Sequence, residues 1–346
     1  MADIIIQQDG CLGRITLNRP KALNALSFDM VLEIIKALQA WKNDMGISCI
    51  IIEGSGDRAF CAGGDIRAIY DVGRDKPEFM QDYWRKEYAL DYMIQNYPKP
   101  YISVMDGFTM GGGVGISAHG SHRIVTERSV VAMPEVIIGF LPDVGGTWLL
   151  SRAPGKVGLY CGITAANMNP ADAIYAGFAD YYVQSFSINQ LISMLRDKQP
   201  VDEVIAKFTS EPAEPSFLKE HKGEIDVLFS HDTILQCVDA LQYAGTKFAN
   251  ETLKSLDTHS PFAISCAFHA INNAYSLNSL EECLKQEYAF AYRSVYTKDL
   301  YEGIRAAVVD KDKKPKWEHD GIRDVDFAAV RQMFEPLGEL ALNVEI

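Results

Sequence analysis

The sequence predicts an α/β fold whose C-terminal part is mostly helical. Short apolar runs repeatedly empty into glycine-containing loops and are followed by helical stretches, the alternation expected of α/β architecture. Glycine then thins out after about residue 190. From there helical spacing of apolar residues dominates, as in residues 234–248, 264–275 and 279–293. We therefore expect a core over residues 1–200 and a helical region over residues 201–346, with Glu211-Pro212-Ala213-Glu214-Pro215 as a linker or capping turn. Internal repeats and low-complexity tracts are absent.

Residues 4–6 and 13–17 read as two short strands around the turn residues Asp9 and Gly10. Asn18-Arg19-Pro20 breaks the second. Ser27 or Asp29 can cap a helix running to about Lys42, with Met30, Leu32, Ile35, Leu38 and Trp41 near helical spacing. Residues 49–53, C-I-I-I-E, form the short apolar run of a buried strand and lead into a long loop, residues 54–65. A second helix is expected over residues 78–96, ended by Pro98 and Pro100. Residues 101–105 are another buried strand, followed by Asp106-Gly107 and the glycine run 110–115, after which a short helix should end near Gly120. Residues 123–126 and 130–132 read as strands, and Pro134-Glu135 comes next.

The bulk numbers narrow the function classes. With 346 residues, 48% of them hydrophobic and 23% charged, the chain can bury a large core without disulfides. Its formal net charge of -13 argues against a general nucleic-acid or anionic-membrane binder, although one local basic patch suffices for a polyanionic ligand. The 7 cysteines are scattered, with no C-x-x-C pair, which fits reduced thiols in a cytosol-like compartment. The N-terminus shows no secretory or transit pattern, so a cytoplasmic location is expected. No apolar stretch is long enough to span a membrane.

Two glycine loops stand out, Ala59-Phe60-Cys61-Ala62-Gly63-Gly64-Asp65-Ile66 and Gly107-Phe108-Thr109-Met110-Gly111-Gly112-Gly113-Val114-Gly115. Glycine lets backbone N–H groups approach a ligand closely. Two such loops can supply two donors to one developing oxyanion, each worth roughly 3–4 kcal/mol of transition-state stabilisation. Either loop alone reads as a turn needing positive φ. The pair, each after a buried strand, reads equally as turns or as an oxyanion site. Glu135 lies between the apolar runs 130–133 and 136–138. Desolvation there would raise its pKa and suit it to act as a general base, while its local sequence alone favours a surface loop. Asp143, in Leu141-Pro142-Asp143-Val144-Gly145-Gly146, reads equally as a functional acid or a helix N-cap.

Other motifs fall short. Gly54-Ser55-Gly56-Asp57-Arg58-Ala59 matches a loose dinucleotide fingerprint, but more loop follows where a helix should open. Gly115-Ile116-Ser117-Ala118-His119 has histidine where a nucleophile elbow needs glycine. His119 and His122 are spaced like metal ligands without an acidic or cysteine partner nearby, and read as structural. Lys311-Asp312-Lys313-Lys314 is a charged turn or a contact for ligand phosphates.

Four of these motifs occur together and in order: Asn18-Arg19-Pro20 with Asn24-Ala25-Leu26, the loop 59–65, Met110-Gly111-Gly112-Gly113, and Pro142-Asp143-Val144-Gly145-Gly146-Thr147. In this they resemble the crotonase (enoyl-coenzyme A hydratase/isomerase) superfamily. The resemblance implies a crotonase-like superhelix of ββα turns and an acyl-coenzyme A thioester whose carbonyl oxygen rests between the backbone N–H groups of Gly64 and Gly112. It places the coenzyme A along Lys21, Ala22, Asn24, Ala62, Gly63, Asp65, Ile66, Gly111 and Gly115. Hydratases of the superfamily carry a glutamate where this chain has Gly115 and typically glycine where it has Asp143, while Glu135 matches their second carboxylate. The combination, with residues 297–306, 310–312 and 315–317 at the C-terminus, resembles the branch that hydrolyses 3-hydroxyisobutyryl-coenzyme A, as in valine catabolism. It implies Glu135 as nucleophile or general base and Asp143 as the group that orients the substrate hydroxyl or the attacking water. No cofactor or metal is implied beyond the coenzyme A of the substrate, and relatives of this fold often form trimers or hexamers. Rival readings are a double-bond isomerase or hydratase of the same fold, and a non-catalytic coenzyme A- or RNA-binding member.

Overall fold

Alternation of apolar side chains along the strands gives the main sheet two buried faces. In the computed structural model, which describes residues 2–345, ten strands form two sheets: β1 (Ile4–Asp9), β2 (Leu12–Leu17), β3 (Cys49–Gly54), β4 (Ala59–Cys61), β5 (Tyr101–Met105), β6 (Phe108–Met110), β7 (His122–Val125), β8 (Val130–Ala132), β9 (Tyr181–Val183) and β10 (Thr209–Ser210). The larger sheet has the order β1-β2-β3-β5-β7-β9-β10, and the smaller β4-β6-β8. An antiparallel hairpin of β1 and β2 turns on Gly10 at φ +62°. From β2 to β9 the larger sheet is parallel. Ile50 and Ile52 join one core with Tyr101 and Met105, while Ile51 joins the other with Ile102, Val104 and Ile124. Helices Ile188–Arg196 and Val201–Phe208 cover the second face. A strand buried on both sides must be apolar throughout, which is why β3 reads as an unbroken run.

The ββα superhelix is visible in the pairing. A long strand in one sheet (β3, β5, β7) is followed each time by a short strand in the other (β4, β6, β8). Helices α1 (Phe28–Trp41), α2 (Ile66–Val72), α3 (Pro77–Gln95), α4 (Gly112–Ala118) and α5 (Gly146–Arg152) follow strands or loops of this core. Ser27, the first of the two expected caps, accepts from Met30 N at the start of α1. Helix α2, after the loop 54–65, is an addition to the sequence reading. Two expectations are corrected: the loop 54–65 contains β4, and the helix expected over 234–248 is two helices, Ile234–Ala244 and Lys247–Leu256. The break falls where Gly245 turns left-handed at φ +57° and Thr246 caps the next helix.

The C-terminal helices share the main core. Ile264, Phe290 and Leu300 lie in the same apolar cluster as Met30 and Tyr88. This packing brings the tail to the functional cleft.

Candidate active site

Pairing of the short strands creates the site. β4, β6 and β8 run side by side in parallel, so the segments leaving their carboxyl ends meet along one edge. That is where ligands of α/β sheets bind. A cleft of about 760 Å³ opens there.

The first wall is pinned by main-chain bonds. Ala62 N donates to Leu23 O at 3.0 Å, Leu26 N to Gly63 O at 2.9 Å and Asp65 N to Leu26 O at 2.9 Å. Arg19 adds Nη2 to Asp65 Oδ2 at 2.9 Å and Nη1 to Ala25 O at 2.8 Å. Among the described residues no acceptor meets the N–H of Gly64. Gly112 opens α4, so its N–H is one of the unmatched donors of a helix start. A Cβ on Gly112 would stand 3.2 Å from Gly64 N and 2.6 Å from Glu87 Oε1. The two N–H groups and the Glu87 carboxyl therefore share one small space, which only glycine at 112 leaves open.

The acids line the opposite side. Glu135 begins the short 3-10 turn Glu135–Ile138 and is 6% exposed. Its Oε1 lies 2.7 Å from where a Gly111 Cβ would be, and its Oε2 is buried with no partner among the described residues. Burial first, and the charge of Asp143 second, push the Glu135 carboxyl well above the usual carboxylate range. Asp143 is also 6% exposed and accepts a 2.6 Å hydrogen bond from the Tyr88 hydroxyl. Burial outweighs that bond and holds Asp143 up at about 7. Glu87 faces the Tyr83 hydroxyl at 3.4 Å, and burial followed by the Asp143 charge raises its pKa as well. Such a group of buried acids titrates jointly rather than singly.

The tail forms part of the wall. Leu300, Ala307, Val308 and Lys311 line the cleft. Helix Lys298–Ile304 packs so closely on the Glu135 turn that a Cβ on Gly303 would lie 2.4 Å from Ile138 C. Arg305 pairs with Glu302 at 2.9 Å, Asp310 at 2.6 Å and Asp312 at 2.7 Å, which holds the segment carrying Lys311 against the cleft.

Glu135, Asp143, Gly64 and Gly112 all come together in this cleft, and so do Lys21, Ala22, Ala62, Gly63, Asp65, Ile66 and Gly111. Asn24 and Gly115 do not line it. The Asn24 side chain is buried, donating to Ser55 O and Ala59 O and accepting from Arg19 N, so it braces the loop. Gly115 faces inward, toward Val144 and Asp91. Asp143 is not the cap of α5. Gly145 occupies that position, and Glu287 accepts from Gly145 N at 2.7 Å and Thr147 N at 2.9 Å. His119 and His122 do not pair on a metal among the described residues; His119 bonds to Val144 O, and His122 to Ser121 and Asp202.

Sequence reasoning missed Glu87, Tyr88, Asp91 and Glu287. A signal existed. Trp84, Glu87, Tyr88 and Asp91 fall on one stripe of α3, and all are buried. An acid on the apolar stripe of a helix marks a buried carboxyl.

A family model for enoyl-CoA hydratase/isomerase matches residues 12–334. The chain belongs to that family. Among curated members it is 39% identical over 352 residues to the mitochondrial 3-hydroxyisobutyryl-CoA hydrolase of Gallus gallus, covering 99% of this chain and 91% of the relative. The Homo sapiens protein of the same name is 36% identical over 350 residues, covering 99% and 90%. Among solved family structures, one titled a carnitinyl-CoA dehydratase from Mycobacterium thermoresistibile superposes with a TM-score of 0.95 at 41% identity, covering 100% of this chain and 99% of that one. Another, titled an enoyl-CoA hydratase from Rhodobacter sphaeroides 2.4.1, gives 0.93 at 42%, covering 99% and 100%. The crotonase fold read from the motifs is thus the fold of the chain.

Proposed function

We propose that the chain hydrolyses 3-hydroxyisobutyryl-CoA, or a close 3-hydroxyacyl-CoA, to the free hydroxy acid and coenzyme A. The observation that carries this reading is Glu135, a buried carboxyl with one oxygen that has no partner among the described residues, set beside two backbone N–H groups and a second acid held by Tyr88. The thioester carbonyl oxygen accepts from Gly64 and Gly112, and stabilising the oxyanion there is worth roughly 3–4 kcal/mol per donor. Ionised Glu135 attacks the carbonyl carbon, or removes a proton from the water that does. The C–S bond then breaks and coenzyme A leaves as a thiolate, whose conjugate acid has a pKa of about 8.5, so no strong general acid is required. On the direct-attack route a water then cleaves the acyl–Glu135 anhydride, freeing the hydroxy acid and restoring Glu135. Asp143 meets the 3-hydroxyl or the attacking water. Lys21, Arg67 and Lys311 stand at the cleft and suit the phosphates of the carrier. The names of the curated relatives, at 36–39% identity over nearly the whole chain, support this choice of acyl group.

A second reading, addition or removal of water across the double bond of a CoA thioester, is favoured by Glu87. Gly115 leaves that position without a carboxylate, yet α3 brings Glu87 into the cleft beside Gly112. The chemistry that separates the two readings is thiol release. We expect a thiol-reactive dye to report rapid release from 3-hydroxyisobutyryl-CoA and little from acetyl- or crotonyl-CoA. Loss of the enoyl absorbance of crotonyl-CoA without thiol release would instead select hydration.

A further inference from the structure

Val144 directly follows Asp143 and is a β-branched residue in left-handed backbone, at φ +51°. Such a residue pays for that conformation, which persists only where its surroundings impose it. The two ends of the peptide unit joining Val144 to Gly145 are each held by a distant side chain. The Val144 carbonyl accepts from His119 Nε2 at 2.8 Å, and the Gly145 N–H donates to Glu287 Oε2 at 2.7 Å. The other Glu287 oxygen takes Thr147 N at 2.9 Å. His119 sits at the end of α4, and Glu287 comes from the helix Leu280–Ser294. Both side chains are buried, and neither lines the cleft. On the inner side, Gly115 admits the bent segment, because a Cβ there would lie 2.7 Å from Val144 Cβ.

A helix start needs a nearby acceptor for its free N–H groups, and an aspartate just before it is a usual choice. Here a glutamate from the C-terminal helical region takes that task, and the Asp143 carboxyl is left to meet Tyr88 and the cleft. We propose that His119 and Glu287 are positioning residues for the reaction, clamping the peptide between Val144 and Gly145 so that Asp143 is presented to the substrate. The activity readout below rests on the hydrolase reading. The exchange readout does not.

The test compares His119→Phe, which keeps a ring and removes the donor, with His119→Gln, which restores an N–H of similar reach. In the full chain, His119→Phe lowers kcat on the order of a hundredfold, the scale of a misplacement of about 1 Å, while KM stays unchanged and His119→Gln recovers most of the loss. Hydrogen–deuterium exchange across residues 144–147 quickens in His119→Phe and not in His119→Gln. Adding Val144→Gly, which enters left-handed backbone freely, shrinks the further cost of His119→Phe. The proposal is overturned if exchange in this segment is unchanged by His119→Phe, or if kcat and KM worsen together and His119→Gln recovers neither. A wild-type chain that releases no thiol defeats the hydrolase reading, and the exchange result still decides whether the clamp exists.

Discussion

The Tyr88 hydroxyl donates a 2.6 Å hydrogen bond to Asp143 Oδ2, tying α3 to the segment that leads into α5. The phenol favours the ionised carboxylate and partly opposes the upward push of burial. Tyr88→Phe removes the donor and raises the Asp143 pKa further. A hydrogen bond to a charged group is worth about 1.5–3 kcal/mol, so kcat should fall by roughly tenfold to a hundredfold. KM for the thioester should hold, since Tyr88 does not line the cleft. Steady-state kinetics read both, and full kcat in Tyr88→Phe would contradict the account.

Asp143 also acts on Glu135 at a distance. Its charge is the second cause, after burial, of the raised Glu135 pKa. Attack needs Glu135 ionised, so kcat/KM should rise with pH through an apparent pKa well above that of an ordinary carboxylate. Asp143→Asn removes the charge, and the Glu135 pKa falls. The acid limb of the profile should therefore move to lower pH, even as the maximal rate drops. A limb that stays in place would show that Asp143 does not set the titration of Glu135.

Asp91 is fully buried, with no partner for either oxygen among the described residues, and burial raises its pKa, aided by Glu87 and Asp143. A carboxyl with a raised folded-state pKa holds a proton that the unfolded chain has already lost at neutral pH. Its contribution to stability therefore declines as pH rises from the unfolded value toward the folded one. Asp91→Asn needs no such proton. It should be more stable than wild type near pH 8, with the gain shrinking toward pH 5 by up to about 1.4 kcal/mol per pH unit. Chemical denaturation across pH measures this, and a variant less stable at every pH would overturn it.

Gly112 leaves no room for a side chain at the site. A methyl there meets Glu87 Oε1 at 2.6 Å and crowds Gly64 N at 3.2 Å. Gly112→Ala should therefore cost about a hundredfold to a thousandfold in kcat, the usual loss for one oxyanion donor. Circular dichroism should show the fold retained, and near-normal kcat would remove Gly112 from the oxyanion role.

Strand β5 was legible because its apolar run lies between Pro100 and Gly107, and β8 because its run lies between the polar stretch Glu127-Arg128-Ser129 and Pro134. The strands β4, β6 and β9, like β8 at three residues each, are too short to show a period, and β4 and β6 lie inside glycine loops that mask them. Their existence depends on neighbours contributed by other parts of the chain. The glycine loops and Glu135 stood out through local pattern and family likeness together. Glu87 and Asp91 did not, because a periodicity reading treats charged residues as the exposed face. The role of Glu287 depends on contacts spanning 142 and 140 residues, which no local pattern carries.

In the proposed reaction Glu135, beside the Gly64 and Gly112 N–H groups, cleaves a 3-hydroxyacyl thioester. The most direct measurement is the rate of coenzyme A release from 3-hydroxyisobutyryl-CoA by the wild-type chain and by Glu135→Gln, side by side, with thermal melts confirming that both are folded. We expect rapid release by the wild type and a loss of at least about a thousandfold in the variant, the scale on which removal of a nucleophile or its base acts. Equal release by the two proteins, or none by the wild type, would contradict the proposed reaction.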